Sequence, residues 1–457
     1  MRTRYAAAFA RRLLTGCTAV ALVTAGSAQA ESLIDVVSAA QDNDPEFRSA
    51  KLQNQADAEA TKQAWARFKP QVNGSVVMNL TQQDIKSSDN SVYEVGRNSY
   101  PDYGYELRID QSLFDFQNWA NLRAARALKR QSNAQFEAAR QDLLLRAVER
   151  YFTVLAAQEA AAAAKAEVRA INEHVKLVSS KYARGAVRYA ELLDVQARSQ
   201  LVLAKQIQAD AAVRDAQTAL KELTGKTSTA LDRLAGDMAA VTVLPEDPQY
   251  WIDLGLKNNP RIQASAEAAR RGDQLVKVEQ SAGLPTLNLQ VFHDRKKTEG
   301  SLFGGGSDIS QLGARLRLDV PISAGGMVRS RTHEARALHE KALAESERIE
   351  RGIERQTRTS IDGINAAASR VAALQASLQA QEKVVEQLAA AFRAGVSSSV
   401  EYLDSERDLF QARAEYLRAR YDYALSTVRL RHAVGLLTID DIAMLSGKMS
   451  PAPASGD

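Results

Sequence analysis

The chain has 457 residues but only one cysteine, Cys17, and only 10 prolines. A single cysteine cannot form a disulfide within the chain, so its fold has no covalent cross-link. Aromatic residues are few, at 6%, and beyond the first thirty positions no apolar run reaches the roughly 20 residues of a transmembrane helix. The residues also form no clustered set of metal ligands. We therefore expect no cofactor and no enzymatic activity.

The sequence also has no large excess of positive or negative charge. The formal net charge is +4, but four arginines without any acid stand in residues 1–30, at Arg2, Arg4, Arg11 and Arg12. Removing these 4 charges leaves the remainder near zero. A nucleic-acid-binding protein needs a basic face, so we expect no nucleic-acid partner.

Residues 1–30 have the pattern of a secretory signal peptide. The arginines precede an apolar stretch, and Ala28-Gln29-Ala30 has the small residues that signal peptidase requires. We expect the mature chain to start at Glu31. The alternative is a lipoprotein signal with attachment at Cys17, but most of the apolar stretch follows that residue.

The rest of the sequence contains one long unit twice. Pro45 and Pro260 are 215 positions apart, as are Pro70 and Pro285. Further on, Gly185 and Gly395 are separated by 210 positions. A duplication of this length predicts two equivalent halves, which we assign to 31–225 and 250–435. A linker at 226–249 and a C-terminal segment at 436–457, ending in a disordered tail, would pack around their junction as a belt.

Each half is predicted to form a helix, a hairpin, a long helix and a further helix. The opening helices, 32–68 and 250–282, end before prolines. The predicted strands are 71–82 and 103–115, then 286–293 and 311–322. The predicted long helices are 117–183 and 327–392, the turns or tips are 184–191 and 393–401, and the closing helices are 192–223 and 402–434. At 1.5 Å per residue a long helix reaches roughly 100 Å.

The strands alternate between apolar and polar residues, which is typical of a sheet between hydrocarbon and water. A soluble hairpin would alternate similarly, but the secretory leader and the flanking Phe114, Phe116 and Trp119 favour a membrane. The charged positions, predicted to line a wet lumen, are Glu106, Arg108, Asp110, Arg315, Arg317 and Asp319. The intervening loops, 81–102 and 294–310, would be extracellular.

Four strands per chain cannot form a closed sheet in lipid, because open edges would leave backbone groups unsatisfied. Eight strands from two chains would enclose a lumen filled by side chains, whereas twelve from three chains leave a path for water. The count therefore favours a homotrimer, although it does not exclude a tetramer.

Several motifs occur in a fixed order in both halves. Leu-Phe-Asp-Phe at 113–116 and Pro-Ile-Ser-Ala-Gly-Gly at 321–326 follow the strands, and Gly-x5-Glu-x-Leu-Asp occurs at 185–194 and 395–404. With the duplication, the sequence resembles the TolC family of outer-membrane export channels. The resemblance implies a mainly α-helical chain with membrane strands, a trimeric twelve-stranded barrel and a periplasmic α-helical barrel. It also implies a periplasmic adaptor and an inner-membrane ABC or proton-driven transporter as partners.

The family resemblance further implies an acidic ring where the helix tips close the tunnel. The matching residues are Glu401 and Asp404, with Glu191 and Asp194 in the first half; such a ring would favour cations. Acids at these positions would also suit an ordinary helix start.

Some family members hold the gate closed with a tyrosine and an arginine. Here Phe392 and Ser397 stand at those positions, so these latch bonds are lost, while Tyr182 is also adjacent and Arg188, Arg184 or Arg393 could substitute. We expect a gate held more by helix packing than by a buried ion pair.

Two other interpretations of the sequence fit less well. Thr224-Gly225-Lys226-Thr227 imitates the end of a phosphate loop, but Leu220 replaces the required first glycine. The rival function is a periplasmic coiled-coil scaffold or adaptor without a pore, which would not need two copies of a lipid-style hairpin. The sequence does not identify the cargo.

Overall fold

The computed structural model describes residues 31–87, 89, 95–228, 230–235, 247–300 and 305–450. The predicted signal peptide, Cys17 and the predicted disordered tail after Ser450 lie outside these residues. The first half contains α1 (Leu33–Asn43), α2 (Pro45–Ala66), β1 (Gln71–Ile85), β2 (Gly96–Phe114), α3 (Phe116–Ala183) and α4 (Tyr189–Thr224). The second contains α5 (Pro248–Asn258), α6 (Pro260–Ser281), β4 (Thr286–Thr298), β5 (Ser307–Asp319), α7 (Met327–Arg393) and α8 (Ser399–Ala433).

The single opening helix expected in each half is wrong, since both are broken at a proline. Pro45 and Pro260 start new helices, and the preceding Asp44 and Asn259 are extended, with ψ of 119° and 123°. Proline excludes the helical conformation from the residue before it. Each preceding side chain then caps the new helix, Asp44 accepting from Phe47 N and Asn259 from Arg261 N.

The four long strands form one antiparallel sheet in the order β1-β2-β4-β5. They extend further than the sequence indicated, with β1 and β2 entering the predicted first loop and β4 and β5 the second. At its other end β5 stops at Asp319, so Val320 to Ile322 lie outside the strand. Within the described chain, the outer sides of β1 and β5 have no partner strand.

The helices form a wall one layer thick. α3 lies between α2 and α6 along one part of its length and between α4 and α8 along the other, and α7 packs against α6 and α8. Of the 68 residues of α3, 21 are buried, whereas α7 buries 8 of 67. The wall therefore ends at α7 on one side and at α2 and α4 on the other. None of the described helices has both the length and the apolarity to cross a membrane.

A belt of short elements covers one face of this wall at mid-height. It consists of α1, α5, α9 (Ile439–Ser446) and the small pair β3 (Arg233–Leu234) with β6 (Met449–Ser450). Its core packs on α3, where Tyr151 is fully buried and its hydroxyl donates to Glu31 O and Asp232 O, 3.1 and 3.0 Å away. The linker contributes β3 to this belt, and the C-terminal segment contributes α9 and β6.

Candidate functional site

Two regions collect the predicted functional residues: the turns between the long and short helices, and the polar face of the sheet. The turn after α3 contains Gly185 at φ 69°, and the turn after α7 contains Gly395 at φ 77°. Such positive φ values suit glycine because a Cβ would crowd the backbone. Each turn reverses the chain, so the acidic motif that follows it starts the next helix.

Asp404 joins two helices through an ion pair. Its Oδ1 accepts from Arg198 Nη1 of α4 at 2.7 Å and from Arg407 Nη1 of its own helix at 3.1 Å. Arg198 also contacts Asp194 at 3.0 Å, four residues before it on α4. The pKa of Arg198 is raised, first by its hydrogen bond to Asp404. Asp404 is half-buried, with 38% of its side chain exposed, so solvent screens this pair only in part.

The other acids at the tips are described by contacts within their own helix turns. Glu401 is exposed, its backbone N–H donates to the N-cap Ser398, and its carboxylate accepts from Ser397 Oγ at 2.8 Å. It thus occupies an ordinary capped first turn, and Ser397 supports it. Glu191 lies in the corresponding first turn of α4, whose N-cap Arg188 makes no side-chain capping bond.

Phe392 lies in an aromatic cluster that joins three helices. Its ring stacks on Tyr402 of α8, with centroids 5.6 Å apart and planes at 6°, and lies 5.3 Å from His174 of α3. Lys181 Nζ stands 4.7 Å from the Phe392 ring centroid. A hydroxyl-free ring at this position therefore supplies packing between the two helix pairs.

Three other candidate latch residues make their contacts within one helix pair. Tyr182 is exposed and its ring contacts Tyr189, 5.6 Å away. Arg184 donates to Ser180 O of its own helix, and Arg393 to Ala389 O of its own. Arg198 was missed by the sequence analysis. Its four-residue spacing from Asp194 predicts a pair within α4, and only the packing of α4 near α8 brings it to Asp404.

The six charged strand residues lie on one face of the sheet. Gln290 pairs in register with Asp110 on one side and with Arg315 on the other, and its amide donates to Asp110 at 2.8 Å. Arg108 contacts both Glu106 and Asp110, at 3.6 and 2.9 Å, and Arg317 contacts Asp319 at 2.7 Å. The polar face therefore has a connected network of charges and amides.

The opposite face of the sheet is apolar and uncovered. Val72, Ile109, Val291 and Ala314 form one row across the four strands. Val76 is 85% exposed and Leu316 63% exposed. An apolar patch of this extent on one chain is unusual for a protein in water and indicates a surface that meets lipid or another protein. Aromatic rings cluster at its helical end, where Phe68 contacts Trp119 and Phe114 contacts Phe116.

Comparison with known sequences identifies the family. The profile of the family described as outer membrane efflux protein matches residues 36–226 and 251–436. The chain belongs to the outer membrane efflux protein family. The two matched stretches nearly coincide with the two predicted repeat units, and membership confirms the resemblance. The chain is thus an outer-membrane protein of the class that serves efflux and secretion.

Individual relatives match over nearly the whole chain. The outer membrane protein TolC of Vibrio cholerae is 26% identical, covering 94% of this chain and 97% of its own length. The proteases secretion protein PrtF of Dickeya chrysanthemi is 24% identical, covering 97% and 96%. Among solved structures, the Campylobacter jejuni CmeC outer membrane channel superposes with a TM-score of 0.77 at 20% identity, covering 92% and 90%. This chain and the solved channel therefore share one fold over most of their length.

Proposed function

We propose that three copies of this efflux protein family member close into one channel, with a twelve-stranded barrel in the outer membrane and a helical tunnel in the periplasm. The observation that carries the proposal is the four-stranded sheet with one bare apolar face and unpaired edges at β1 and β5. In lipid those edges need partners, and β5 of one copy pairing with β1 of the next provides them. Twelve strands leave a water-filled interior.

The helical wall supports the same closure. It is open at α7 on one side and at α2 and α4 on the other, and α7 buries few of its residues within one chain. Contact of α7 with the neighbouring copy's α2 and α4 would extend the wall into a cylinder. Glu106, Arg108, Asp110, Arg315, Arg317 and Asp319 would then face the barrel interior and keep it hydrated.

At the far end of the wall, the tips act as the gate. Asp404 and Glu401, with Glu191 and Asp194, would surround the axis in three copies and favour cations over anions. The ion pair of Arg198 with Asp404 and the stack of Phe392 on Tyr402 hold the tips together. This closure combines helix packing with a half-exposed ion pair, in place of the tyrosine and arginine latch.

The channel exports proteins or small molecules together with a periplasmic adaptor and an inner-membrane ABC or proton-driven transporter. The relatives support this class of cargo because their names include both protease secretion and efflux. Both uses need the same water-filled tunnel, so the inner-membrane transporter selects the cargo.

The proposal is tested by measuring both the assembly of the chains and the current they conduct. Outer-membrane fractions run on a denaturing gel without heating should show a band near three times the mass of the single chain, and heating should convert it to that chain. Purified protein should give discrete current steps in a planar lipid bilayer. A periplasmic single chain that passes no current would support the non-pore scaffold and overturn the channel.

A further inference from the structure

An arginine cluster lines a groove on the helical wall, between the sheet and the belt. The groove has a volume of about 660 Å³ and lies between α3, α6 and α7. Its positively charged lining residues are Arg123, Arg126, Arg130 and Arg270. Arg123 and Arg130 lie 7 and 14 residues after the start of α3 at Phe116, which is roughly 10 to 20 Å along the helix axis.

The groove opens on the face of the wall that carries the belt. On α3, Arg130 lies eighteen residues before Val148 of the belt core. On α7, His339 lines the groove and lies eighteen residues before Thr357, which is close to Gly255 of α5. Eighteen residues are five whole turns, so each pair lies on one side of its helix. Belt elements inside the tunnel would obstruct its water path, so in the proposed channel the belt and the groove face outwards.

The arginines continue a stripe that starts with an aromatic ring at the membrane end of α3. Spacings of four, three and four residues place on one side of this helix Trp119, Arg123, Arg126 and Arg130. Trp119 is exposed and its ring lies 4.8 Å from Phe68, at the helical end of the apolar face of the sheet. Tryptophans mark the boundary between hydrocarbon and headgroups. Arg123 and Arg126 lie roughly 6 and 10 Å beyond Trp119, and the headgroup layer is roughly 5 to 8 Å thick.

Part of the cluster has a structural role. Glu267 of α6 is buried and contacts Arg130 and Arg270, at 2.9 and 2.5 Å, and the pair with Arg130 joins α6 to α3. Asp273, which lines the groove, contacts Lys277 at 2.6 Å. The four arginines therefore share one carboxylate, that of Glu267.

Arg123 and Arg126 have no such role. Both side chains are exposed, and neither forms an ion pair in the part of the chain that the structure describes. α3 contains four basic residues before its first acid, Glu137, and like charges three or four residues apart destabilise a helix. An anion from outside the chain would offset this repulsion.

We propose that Arg123 and Arg126 bind the phosphate groups of anionic phospholipids in the periplasmic leaflet of the outer membrane, a site that rests on the channel proposed above. The guanidinium is planar and donates two parallel hydrogen bonds to a phosphate. Arginines near a membrane extend their side chains towards the headgroups, and basic pockets between helices hold anionic headgroups. Three such sites beneath the barrel would fix its depth in the membrane.

The test measures which phospholipid contacts the tryptophans of the full-length protein in vesicles. Phospholipids brominated in their acyl chains quench tryptophan fluorescence on contact, and Trp65 and Trp119 are 41% and 47% exposed. Wild type should bind brominated phosphatidylglycerol roughly fivefold more tightly than brominated phosphatidylcholine. Arg123→Gln/Arg126→Gln should remove most of that preference. Excess soluble glycerol phosphate should leave the wild-type preference intact; its loss would make the groove a site for free phosphates and overturn the lipid assignment.

The matched control is Arg355→Gln/Arg358→Gln. It removes from α7 two exposed arginines with the same three-residue spacing, 28 and 31 residues after the helix start at Met327, which is roughly 40 to 50 Å from the sheet. This control should keep the wild-type preference. An equal loss in both double variants, or an unchanged preference in Arg123→Gln/Arg126→Gln, overturns the site.

The same quenching separates the headgroup site from the channel. Equal quenching of wild type by both lipids overturns the site but leaves the barrel in place, because the apolar face would still meet lipid. A folded wild-type protein that neither lipid quenches overturns both. Far-ultraviolet circular dichroism and unheated gels verify that each variant is folded and assembled.

Discussion

Asp404 forms ion pairs with two arginines, and only one of these pairs connects different helices. Arg198 links α4 to α8, whereas Arg407 lies three residues along α8 itself. A partly exposed pair of this kind contributes about 0.5 kcal/mol, roughly a twofold shift in an equilibrium. Three symmetric copies would multiply this to roughly tenfold. In the proposed gate, Asp404 would therefore be both a pore acid and part of the bond that holds the tips closed.

We predict that Arg198→Gln raises the open fraction of the channel by roughly tenfold, because it frees α8 from α4 while leaving the acid in place. Single-channel recording measures the open fraction. Arg407→Gln is the control and should change the open fraction little, since its bonds stay within α8.

Asp404→Ala should lower cation selectivity, measured as the reversal potential in a salt gradient. An unchanged selectivity would remove Asp404 from the ring.

His174 is a buried imidazole at the junction of the tips. Its Nε2 is buried without a hydrogen-bond partner, and the groups around it are Lys181 on α3, Glu191 on α4, Phe392 on α7 and Tyr402 on α8. The Tyr402 hydroxyl in turn donates a hydrogen bond to Glu406 at 2.6 Å and interacts electrostatically with Arg393. Burial, followed by the charge of Lys181, lowers the pKa of His174 below its ordinary value.

We predict that acid loosens the tips through His174. The unfolded imidazole takes up a proton near pH 6.5, before the buried one does, so stability is complete above that pH and falls as pH decreases through it. Hydrogen exchange of peptides from α3, α7 and α8 should increase at pH 5.5 relative to pH 7.5, after correction for intrinsic exchange. His174→Phe keeps a ring against Phe392 and should abolish the change. The same acid response in that variant would assign it to other groups.

The break between α5 and α6 packs against the end of α8. Asn259 caps α6 and its amide donates to Ala433 O at 2.8 Å. Gly435, at φ 75°, follows the end of α8, and a Cβ there would lie 2.5 Å from Asn259 Cα. The junction therefore requires glycine for both its backbone conformation and its space.

We predict that Gly435→Ala lowers the free energy of unfolding by about 3 kcal/mol, because left-handed strain adds to overpacking against the backbone. Gly185→Ala is the matched control. Gly185 has a similar φ of 69° but open space around its Cβ position, so the cost should be about 1 kcal/mol. Thermal unfolding followed by circular dichroism compares the two, and equal midpoints would contradict the packing argument.

The sequence revealed elements whose signals are local. The long uninterrupted runs and the glycine turns predicted the long helices to within one residue and the closing helices to within three. The period change at Pro70 and Pro285 located the strands less closely, since β2 starts seven residues before its predicted start. The breaks at Pro45 and Pro260 had the same local signal, proline after a capping residue, and were overlooked because the surrounding composition is uniformly helical. Contacts such as Arg198 with Asp404 depend on how separate helices pack, and residue spacing within one helix does not encode them.

The whole assembly depends on which face of the sheet meets lipid. Val291 lies in the middle of the apolar row, and its chain neighbour Gln290 points to the charged face between Asp110 and Arg315. The two positions occupy the same strand at the same depth, but only one of them would enter hydrocarbon. This makes them a matched pair for the orientation of the barrel.

We predict that Val291→Lys prevents stable insertion, since a lysine facing lipid near mid-membrane costs about 2–4 kcal/mol in every copy. Gln290→Lys introduces the same side chain into the wet interior beside Asp110, so trimers should form at wild-type yield. Unheated gels of outer-membrane fractions and urea titrations of vesicle-inserted protein measure both. Equal tolerance at the two positions would mean that the apolar face meets protein and not lipid, and the closed barrel would have to be abandoned.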